Sequence, residues 1–311
     1  MPIREFFHLI HVVDDFDAGA TLYAELLAPL VFYPKSYSDD ERRWASLGLV
    51  GTDFVIEVVE PGDREEDLER PLPRFRRRFG EHFHSLGWYV DGDDLPPLVR
   101  RLCGYGVRVV GPEGQSLCGV ADADLPRTVF THPKDTSGQV ELQGVLPSDD
   151  RPDPRFRGDW SSTFWRDRHP LGIERTSHLT TVVRSIDESC RIYEAAFGAR
   201  PFHRREDGDS RSAFLLMGLD TVVEFAQPLV SGTLLADDLA EHGQLPHSVT
   251  FRVRDLEAVE RHVEAVGIRV GDRRADTLTL DPRDCHYAVF SFTTQSLPDD
   301  PRDRRDDNEP T

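Results

Sequence analysis

Lysine is almost absent from this 311-residue chain. Only Lys35 and Lys134 are present, so the 37 basic residues are nearly all arginine. They are outnumbered by 56 acidic residues, which gives a formal net charge of −19. So acidic a chain is poorly suited to holding a phosphate backbone or an anionic membrane surface. We therefore expect no nucleic-acid and no membrane partner, while a small-molecule substrate and a homodimer stay open.

Long apolar runs and paired cysteines are also missing. No apolar run approaches the ~18–20 residues of a membrane-spanning helix, and the N-terminal residues, which include Glu5, do not resemble a signal peptide. The cysteines form no CxxC pair and are scattered at Cys103, Cys118, Cys190 and Cys285. We expect four free, buried thiols in a reducing compartment, which predicts a cytoplasmic protein.

An internal repeat organises the chain. Residues 8–27 (HLIHVVDDFDAGATLYAELL) align with residues 178–197 (HLTTVVRSIDESCRIYEAAF), so that His8 pairs with His178. In both segments a strand-like run is followed by a turn and an amphipathic helix. This pattern predicts a β-strand followed by an α-helix at the start of each half.

A second repeat follows the first. Residues 84–110 align with residues 247–270, which pairs His84 with His247 and again gives strand, helix, glycine stop and strand. Each of the four segments continues into further strand-like runs. The sequence therefore predicts an α+β protein of four βαβββ units, paired into two domains.

The predicted domains have distinct boundaries. Domain one covers residues 1–145 and domain two covers residues 173–296. Residues 146–172 hold four prolines and lack periodicity, which is typical of a linker. Residues 297–311 are almost entirely Pro, Asp and Arg, which predicts a disordered acidic tail.

Four units of this kind, with a histidine opening the first strand and a glutamate closing the last, resemble the vicinal oxygen chelate superfamily. That superfamily includes glyoxalase I, methylmalonyl-CoA epimerase, the extradiol dioxygenases and the bleomycin resistance proteins. Residues 130–143, FTHPKDTSGQVELQ, look like the closing motif of the epimerase branch. The resemblance implies two glyoxalase-like half-barrels, each a cup in which a divalent metal can bind two neighbouring substrate oxygens.

The resemblance also implies which residues act. The metal ligands of domain one would be His8, Glu57, His84 and Glu141, with Glu57 and Glu141 also serving as catalytic carboxylates. Imidazole and carboxylate ligands suit Fe, Mn, Co, Ni and Zn, so the identity of the metal stays open. A glutamate that leaves the metal can remove a proton from carbon.

His84 stands one residue before the position of the family ligand, which falls on Ser85. One residue changes the face of a strand, so either a bulge brings His84 into the cup or Ser85 faces it. Ser85 and Trp88 are the predicted pocket residues, although Trp88 belongs to the core if it faces away from the cup.

Domain two carries a weaker set of candidate ligands, His178, Glu224 and His247. The alignment places Phe290 where Glu141 closes the first set, so we expect a degenerate site. Domain one is therefore predicted to do the chemistry.

Three functions follow from this interpretation. The first is a metal-dependent enzyme that transfers a proton on a small substrate with vicinal oxygens, as an isomerase, epimerase or lyase. The second is an extradiol-type ring-cleaving dioxygenase. The third is a protein that binds an antibiotic or aromatic molecule without catalysis.

Overall fold

The computed structural model describes residues 2–39, 41–146, 151–157 and 160–303. Its first half contains eight strands and three α-helices, and the order along the chain is β1 (Ile3–Val12), α1 (Phe16–Leu27), β2 (Leu30–Ser38), β3 (Arg43–Val50), β4 (Phe54–Pro61), α2 (Pro71–Phe79), β5 (His82–Asp91), α3 (Leu95–Gly104), β6 (Val109–Val110), β7 (Thr128–Thr131) and β8 (Gln139–Val145).

The second half repeats this plan after a short connecting helix. Its order is α4 (Thr163–Asp167), β9 (Ile173–Val182), α5 (Ile186–Ile192), β10 (Arg200–Glu206), β11 (Ser210–Met217), β12 (Thr221–Pro228), α6 (Leu234–Glu241), β13 (Leu245–Val253), α7 (Leu256–Ala265), β14 (Val270–Arg273), β15 (Thr277–Leu280) and β16 (Val289–Thr293). A π-helical turn, Tyr193–Phe197, extends α5.

Each half forms one mixed eight-stranded sheet. The strand orders are β2-β3-β4-β1-β5-β8-β7-β6 and β10-β11-β12-β9-β13-β16-β15-β14, so equivalent strands hold equivalent places. Two βαβββ units join side by side where β1 pairs antiparallel with β5, and β9 with β13. The predicted α+β fold of four paired units is confirmed.

The repeat is visible in local structure. Asp15 caps α1 by accepting a hydrogen bond from the N–H of Ala18 at 3.0 Å, and Ser185 caps α5 by accepting one from the N–H of Glu188 at 3.3 Å. A polar oxygen at this position satisfies an amide that has no partner inside the helix. The equivalent residues therefore start equivalent helices.

The two sheets share one hydrophobic core. The ring of Phe54 lies 5.2 Å from that of Phe251, and Phe290 lies within 6.1 Å of Phe83 and 5.9 Å of Tyr23. All five side chains are almost fully buried. Such continuous aromatic packing fixes the position of one sheet against the other.

Reciprocal hydrogen bonds join the halves at two equivalent turns. Asp53, between β3 and β4, accepts hydrogen bonds from the N–H and hydroxyl of Thr176 at 3.0 and 2.8 Å. Asp220, between β11 and β12, accepts one from the N–H of Phe6 at 3.0 Å. The repeated sequence thus produces an approximate two-fold relationship between the halves.

An Asp-Pro-Arg segment follows the last strand of each half. Arg155 pairs with Asp153 at 2.6 Å and donates to the carbonyl of Phe6, and Arg302 pairs with Asp300 at 2.8 Å and donates to the carbonyl of Ser177. Both pairs are buried, and each arginine thereby fixes the segment after its half to the opening strand of a sheet.

The prediction of a disordered tail from residue 297 onward is therefore wrong for its first part. Leu297, Asp300 and Arg302 are buried. Composition alone would place the arginine in solvent, but its hydrogen bonds to backbone carbonyls compensate for the water that it loses on burial. Residues 304–311 of the predicted tail lie outside the described residues, as do residues 147–150 and 158–159 of the predicted linker.

The cysteines also differ from the expectation. Cys103 and Cys118 form a disulfide with their Cα atoms 5.7 Å apart, and Cys190 and Cys285 are free and buried. This pair could not be predicted from spacing, because the loop after α3 brings the two residues together only in the fold. Disulfides are typical of oxidising compartments, so the pairing does not support the predicted cytoplasmic location, which stays a prediction.

No helix among the described residues is both long enough and apolar enough to cross a membrane.

Candidate active site in the first sheet

A row of four residues crosses the centre of the first sheet. His8 on β1 pairs with Gly87 on β5, and Gly87 pairs in turn with Glu141 on β8. Glu57 lies on β4, which runs parallel to β1 on its other side. Four neighbouring strands therefore bring one histidine between two carboxylates.

The imidazole of His8 contacts both carboxylates. Its Nε2 lies 3.1 Å from Oε2 of Glu141, and its Nδ1 lies 2.9 Å from Oε2 of Glu57. A Cβ atom on Gly87 would stand 2.7 Å from Cδ2 of His8. The glycine is thus the reason that the ring can reach across β5 to Glu141.

Charges balance within this row. Arg43, at the start of β3, places Nη1 2.7 Å from Oε1 of Glu57. Burial alone would raise the pKa of Glu57, but Arg43 and His8 outweigh it and lower the pKa to about 2. Burial opposes the charge of His8, yet Glu141 and Glu57 raise its pKa to about 9. At neutral pH Glu57, His8 and Arg43 are therefore all charged.

Apolar side chains flank the polar row at both ends. At one end, Leu72 and Phe75 of α2 pack against a buried cluster that includes Ile10 and Val59. At the other end, Trp160 from the connecting segment packs on the cluster of Leu47, Leu49 and Val55. The polar row is therefore enclosed by the protein's own segments, and Glu141 is only 6% exposed.

Of the remaining predicted residues of this cup, His84 and Ser85 lie beside each other and Trp88 lies in the core. The β1–β5 pairing is irregular beside His84, as the bulge hypothesis required, and the ring of His84 meets Phe75 edge-on at 4.7 Å. Ser85 is buried, and its hydroxyl lies 3.0 Å from Nδ1 of His84. Trp88 packs against Phe6 in the core, so it does not line the cup.

His84 stays close to the cup's charges. Burial, and then the positive charge of Arg43, lower the pKa of His84 to about 4. The imidazole is therefore neutral at physiological pH and can offer a nitrogen lone pair.

The predicted four-ligand metal set does not converge in this geometry. Glu57 and Glu141 meet opposite nitrogens of His8, and the two imidazole nitrogens point in divergent directions, so one ion cannot reach both contacts. Arg43 already neutralises Glu57. Within the described residues, no three of these four side chains bring ligand atoms within 4.8 Å of one another. The cup therefore does not fit the implied metal.

The second sheet holds a reduced version of the row. His178 Nε2 lies 3.3 Å from Oε2 of Glu224, and Arg205 contacts the other oxygen at 3.4 Å. Thr250 pairs with His178 where Gly87 pairs with His8, and Thr250 pairs in turn with Ser291. The structural counterpart of Glu141 is therefore Ser291 rather than the predicted Phe290, and it likewise supplies no carboxylate.

His247 does not join the second cup's pair. Its Nδ1 lies 2.5 Å from Oδ2 of Asp238, a residue of α6. The only group of three His, Cys, Asp or Glu side chains that converges within 4.8 Å in the described part of the chain is His82, Asp238 and His242. A His/Asp group able to hold a divalent metal is thus present, and it includes none of His8, Glu57, Glu141, His178 and Glu224.

Sequence reasoning missed Arg43, Gly87 and Asp238. An isolated glycine inside a strand is a signal of close approach, and it could have identified Gly87. A lone arginine at a strand start and a lone aspartate in a short helix carry no such signal.

Comparison with known proteins agrees with this architecture. Residues 177–281 match the family model described as the Glyoxalase/Bleomycin resistance protein/Dioxygenase superfamily. A mutant of 4-hydroxymandelate synthase from Streptomyces coelicolor has a similar structure, with a TM-score of 0.65 at 13% identity, over 96% of this chain and 95% of that protein. No curated protein matches the sequence.

Shorter solved structures match part of the chain. Methylmalonyl-CoA epimerase from Mycobacterium tuberculosis is 20% identical and covers 40% of this chain and 90% of its own, with a TM-score of 0.37. A mutant of the Streptomyces coelicolor epimerase is 22% identical and covers 40% and 99%, also with a TM-score of 0.37.

The resemblance drawn from the sequence is confirmed. The whole chain has the fold of a two-domain vicinal oxygen chelate protein. In its second half, residues 177–281 match the model of the glyoxalase, bleomycin resistance protein and dioxygenase superfamily.

Proposed function

We propose that this protein is an enzyme that transfers a proton on a small substrate with two vicinal oxygens, at a carbon beside a carbonyl group. Glu141 is the proposed base, and His8 is its partner. The observation that carries the proposal is the buried contact between His8 Nε2 and Glu141 Oε2, 3.1 Å long, inside an enclosed cup. General bases act from such positioned, desolvated sites.

The proton path follows from the two contacts of His8. Protonated His8 donates through Nε2 to Glu141, and its Nδ1 faces Glu57. When Glu141 takes a proton from carbon, His8 keeps the positive charge beside the product, where it stabilises the developing enolate oxygen. Glu141 then returns its proton to the neighbouring carbon while the proton of the substrate's hydroxyl group moves to the enolate oxygen, so the proposed net reaction is an isomerisation that needs no other reactant.

Glu57 is a positioning residue in this proposal. Arg43 and His8 lower its pKa to about 2, and a carboxylate of such low basicity is a poor acceptor for a proton on carbon. Its contacts instead hold His8 in one orientation, much as a buried carboxylate orients a catalytic imidazole. Of the two carboxylates predicted to be catalytic, the proposal therefore assigns the role of base to Glu141 alone.

The surroundings of the cup support a small substrate with apolar parts. Apolar clusters stand at both ends of the polar row, and such pockets bind compact ligands while a few polar groups fix orientation. Because Trp160 and α2 enclose the row, substrate entry requires one of these segments to move.

Proton exchange tests the proposal directly. The protein is incubated in D₂O with 2-hydroxy ketones, 2-oxo acids and acyl thioesters, and the loss of the proton beside the carbonyl is followed by ¹H NMR. We expect exchange with at least one class, and a ~10²–10⁴-fold loss in Glu141→Gln, the range that general bases contribute. Glu25→Gln, an exposed residue of α1, is the matched control.

Two other outcomes would overturn the proposal in favour of the alternatives. Oxygen consumption with catechols, and no exchange, would indicate a ring-cleaving dioxygenase. Saturable binding of an aromatic compound that neither exchanges nor reacts would indicate a binding protein.

A further inference from the structure

Four polar side chains meet where the two halves of the chain adjoin. His82 opens β5 of the first sheet, Asp238 and His242 lie on or just after α6, and His247 lies on β13. His82, Asp238 and His247 are each less than 9% exposed, and the side chain of His242 is 20% exposed. We call these four residues the Asp238 cluster.

The carboxylate of Asp238 is the centre of the cluster. Its Oδ1 lies 3.0 Å from Nε2 of His82 and 2.6 Å from Nδ1 of His242, and its Oδ2 lies 2.5 Å from Nδ1 of His247. Three imidazole nitrogens thus surround one carboxylate, which can accept about four hydrogen bonds. Such a concentration of nitrogen and oxygen ligands is typical of a metal centre.

The second nitrogen of His82 supplies an independent observation. Its Nδ1 lies 3.1 Å from the carbonyl oxygen of Phe83, while its Nε2 faces Asp238. Both nitrogens therefore face acceptors, although a neutral imidazole has one N–H. A metal-bound histidine has this arrangement, with one nitrogen on the ion and the other donating to a backbone carbonyl.

We propose that the Asp238 cluster binds one divalent transition-metal ion of the zinc type. The ligands would be His82, Asp238 and His242, whose ligand atoms lie within 4.8 Å of one another, while His247 would hold the other oxygen of Asp238. Atoms bound to one ion at ~2.0–2.2 Å lie ~3.0–3.5 Å apart, so small rotations of these side chains would open the space that an ion needs. Three protein ligands leave one position of a tetrahedral ion to water.

The position of the cluster gives the ion a role. His82 comes from the first sheet, and the other two ligands, Asp238 and His242, come from the second half. The strands that carry His82 and His247, β5 and β13, adjoin each other in the fold. An ion at Asp238 would therefore join the two halves, which are also joined by the shared core and by the hydrogen bonds to Asp53 and Asp220.

Cobalt binding to the purified full chain tests this inference. The protein is stripped with a chelator and titrated with Co²⁺, and the bound ion is measured by elemental analysis and by the visible ligand-field absorption. We expect about one Co²⁺ per chain, displaced by Zn²⁺. His242→Ala and Asp238→Asn should weaken binding at least tenfold, since even loss of an outer-shell partner costs ~10–100-fold.

Matched variants separate this site from the cup. Glu141→Gln should bind Co²⁺ as the wild type does, and so should His262→Ala, which removes a histidine outside the cluster. His242→Ala, at a partly exposed position, keeps the test decisive if Asp238→Asn fails to fold. Unchanged binding in His242→Ala, no bound ion in the wild type, or a loss of binding confined to Glu141→Gln would each overturn the inference.

Discussion

His8 reaches Glu141 across a strand whose intervening residue, Gly87, has no side chain. The residues pair as His8, Gly87 and Glu141 on β1, β5 and β8, and the Nε2–Oε2 distance is 3.1 Å. The contact between the two residues thus depends on the missing side chain of Gly87.

Replacement of Gly87 by alanine tests that relationship. The new Cβ would stand 2.7 Å from Cδ2 and 2.9 Å from Nε2 of His8, so the ring must turn away from Glu141. We expect a loss of ~1–3 kcal/mol in the free energy of unfolding, as for other overpacked interiors, together with loss of proton exchange. Urea denaturation measures the first and NMR the second.

Gly104 provides the control for this substitution. It ends α3, and a Cβ there would meet no atom within 4 Å. Gly104→Ala should leave stability unchanged or raise it by up to ~1 kcal/mol. Equal effects of the two alanines would contradict the proposed role of Gly87.

The charge of His8 predicts a pH dependence of stability. Its folded-state pKa of about 9 lies above the ordinary value of 6.5, so the folded state binds the proton more tightly than the unfolded state does. This stabilisation is complete below pH 6.5 and is lost as the pH rises through 9. The wild type should therefore have a higher free energy of unfolding than His8→Gln, and this difference should be larger at pH 6 than at pH 9.5. A difference that does not change with pH would contradict a protonated His8.

The C-terminal Asp-Pro-Arg segment should contribute to stability. Arg302→Ala removes hydrogen bonds to the carbonyls of Thr176 and Ser177 and leaves the carboxylate of Asp300 buried beside them. We expect a loss of ~3–5 kcal/mol in the free energy of unfolding, which is typical of a broken buried pair. Thermal and urea denaturation check this value.

Arg211→Ala is the matched control for that substitution. Arg211 pairs with Glu206 at 3.9 Å on the surface, so its loss should cost at most ~1 kcal/mol. If Arg302→Ala were as mild as Arg211→Ala, the segment after Leu297 would not be anchored as described.

Thiol titration checks the disulfide. Unfolded protein that has not been reduced should show two reactive thiols, from Cys190 and Cys285, and four after reduction. Reduction should also lower the stability by ~3 kcal/mol, the effect expected when a cross-link closes a loop of about 15 residues. Four thiols before reduction would show that Cys103 and Cys118 are not paired.

The fold could be predicted from the sequence because the same strand and helix pattern occurs four times along the chain. The equivalences of His8 with His178 and of His84 with His247 identified four units, and the sheets follow them strand for strand. His8, Glu57 and Glu141 do meet. Whether these three side chains bind a metal or contact one another could not be predicted from their spacing, because it depends on which nitrogen of His8 faces which carboxylate.

Other features depended on contacts that no local pattern encodes. Arg43 reaches Glu57 from the neighbouring strand, and Asp238 gathers histidines from both halves. Arg302 is buried because backbone carbonyls of β9 accept its hydrogen bonds. Long-range partners of this kind override the preference of charged residues for the surface.

The exchange of substrate protons into D₂O by chelator-treated protein tests the central claim most directly. We predict that exchange survives removal of metal and survives Asp238→Asn in folded protein, but falls at least ~10²-fold in Glu141→Gln. Exchange that stops on chelation, or that continues unchanged in Glu141→Gln, would contradict the account of Glu141 and His8 as the proton-transfer pair.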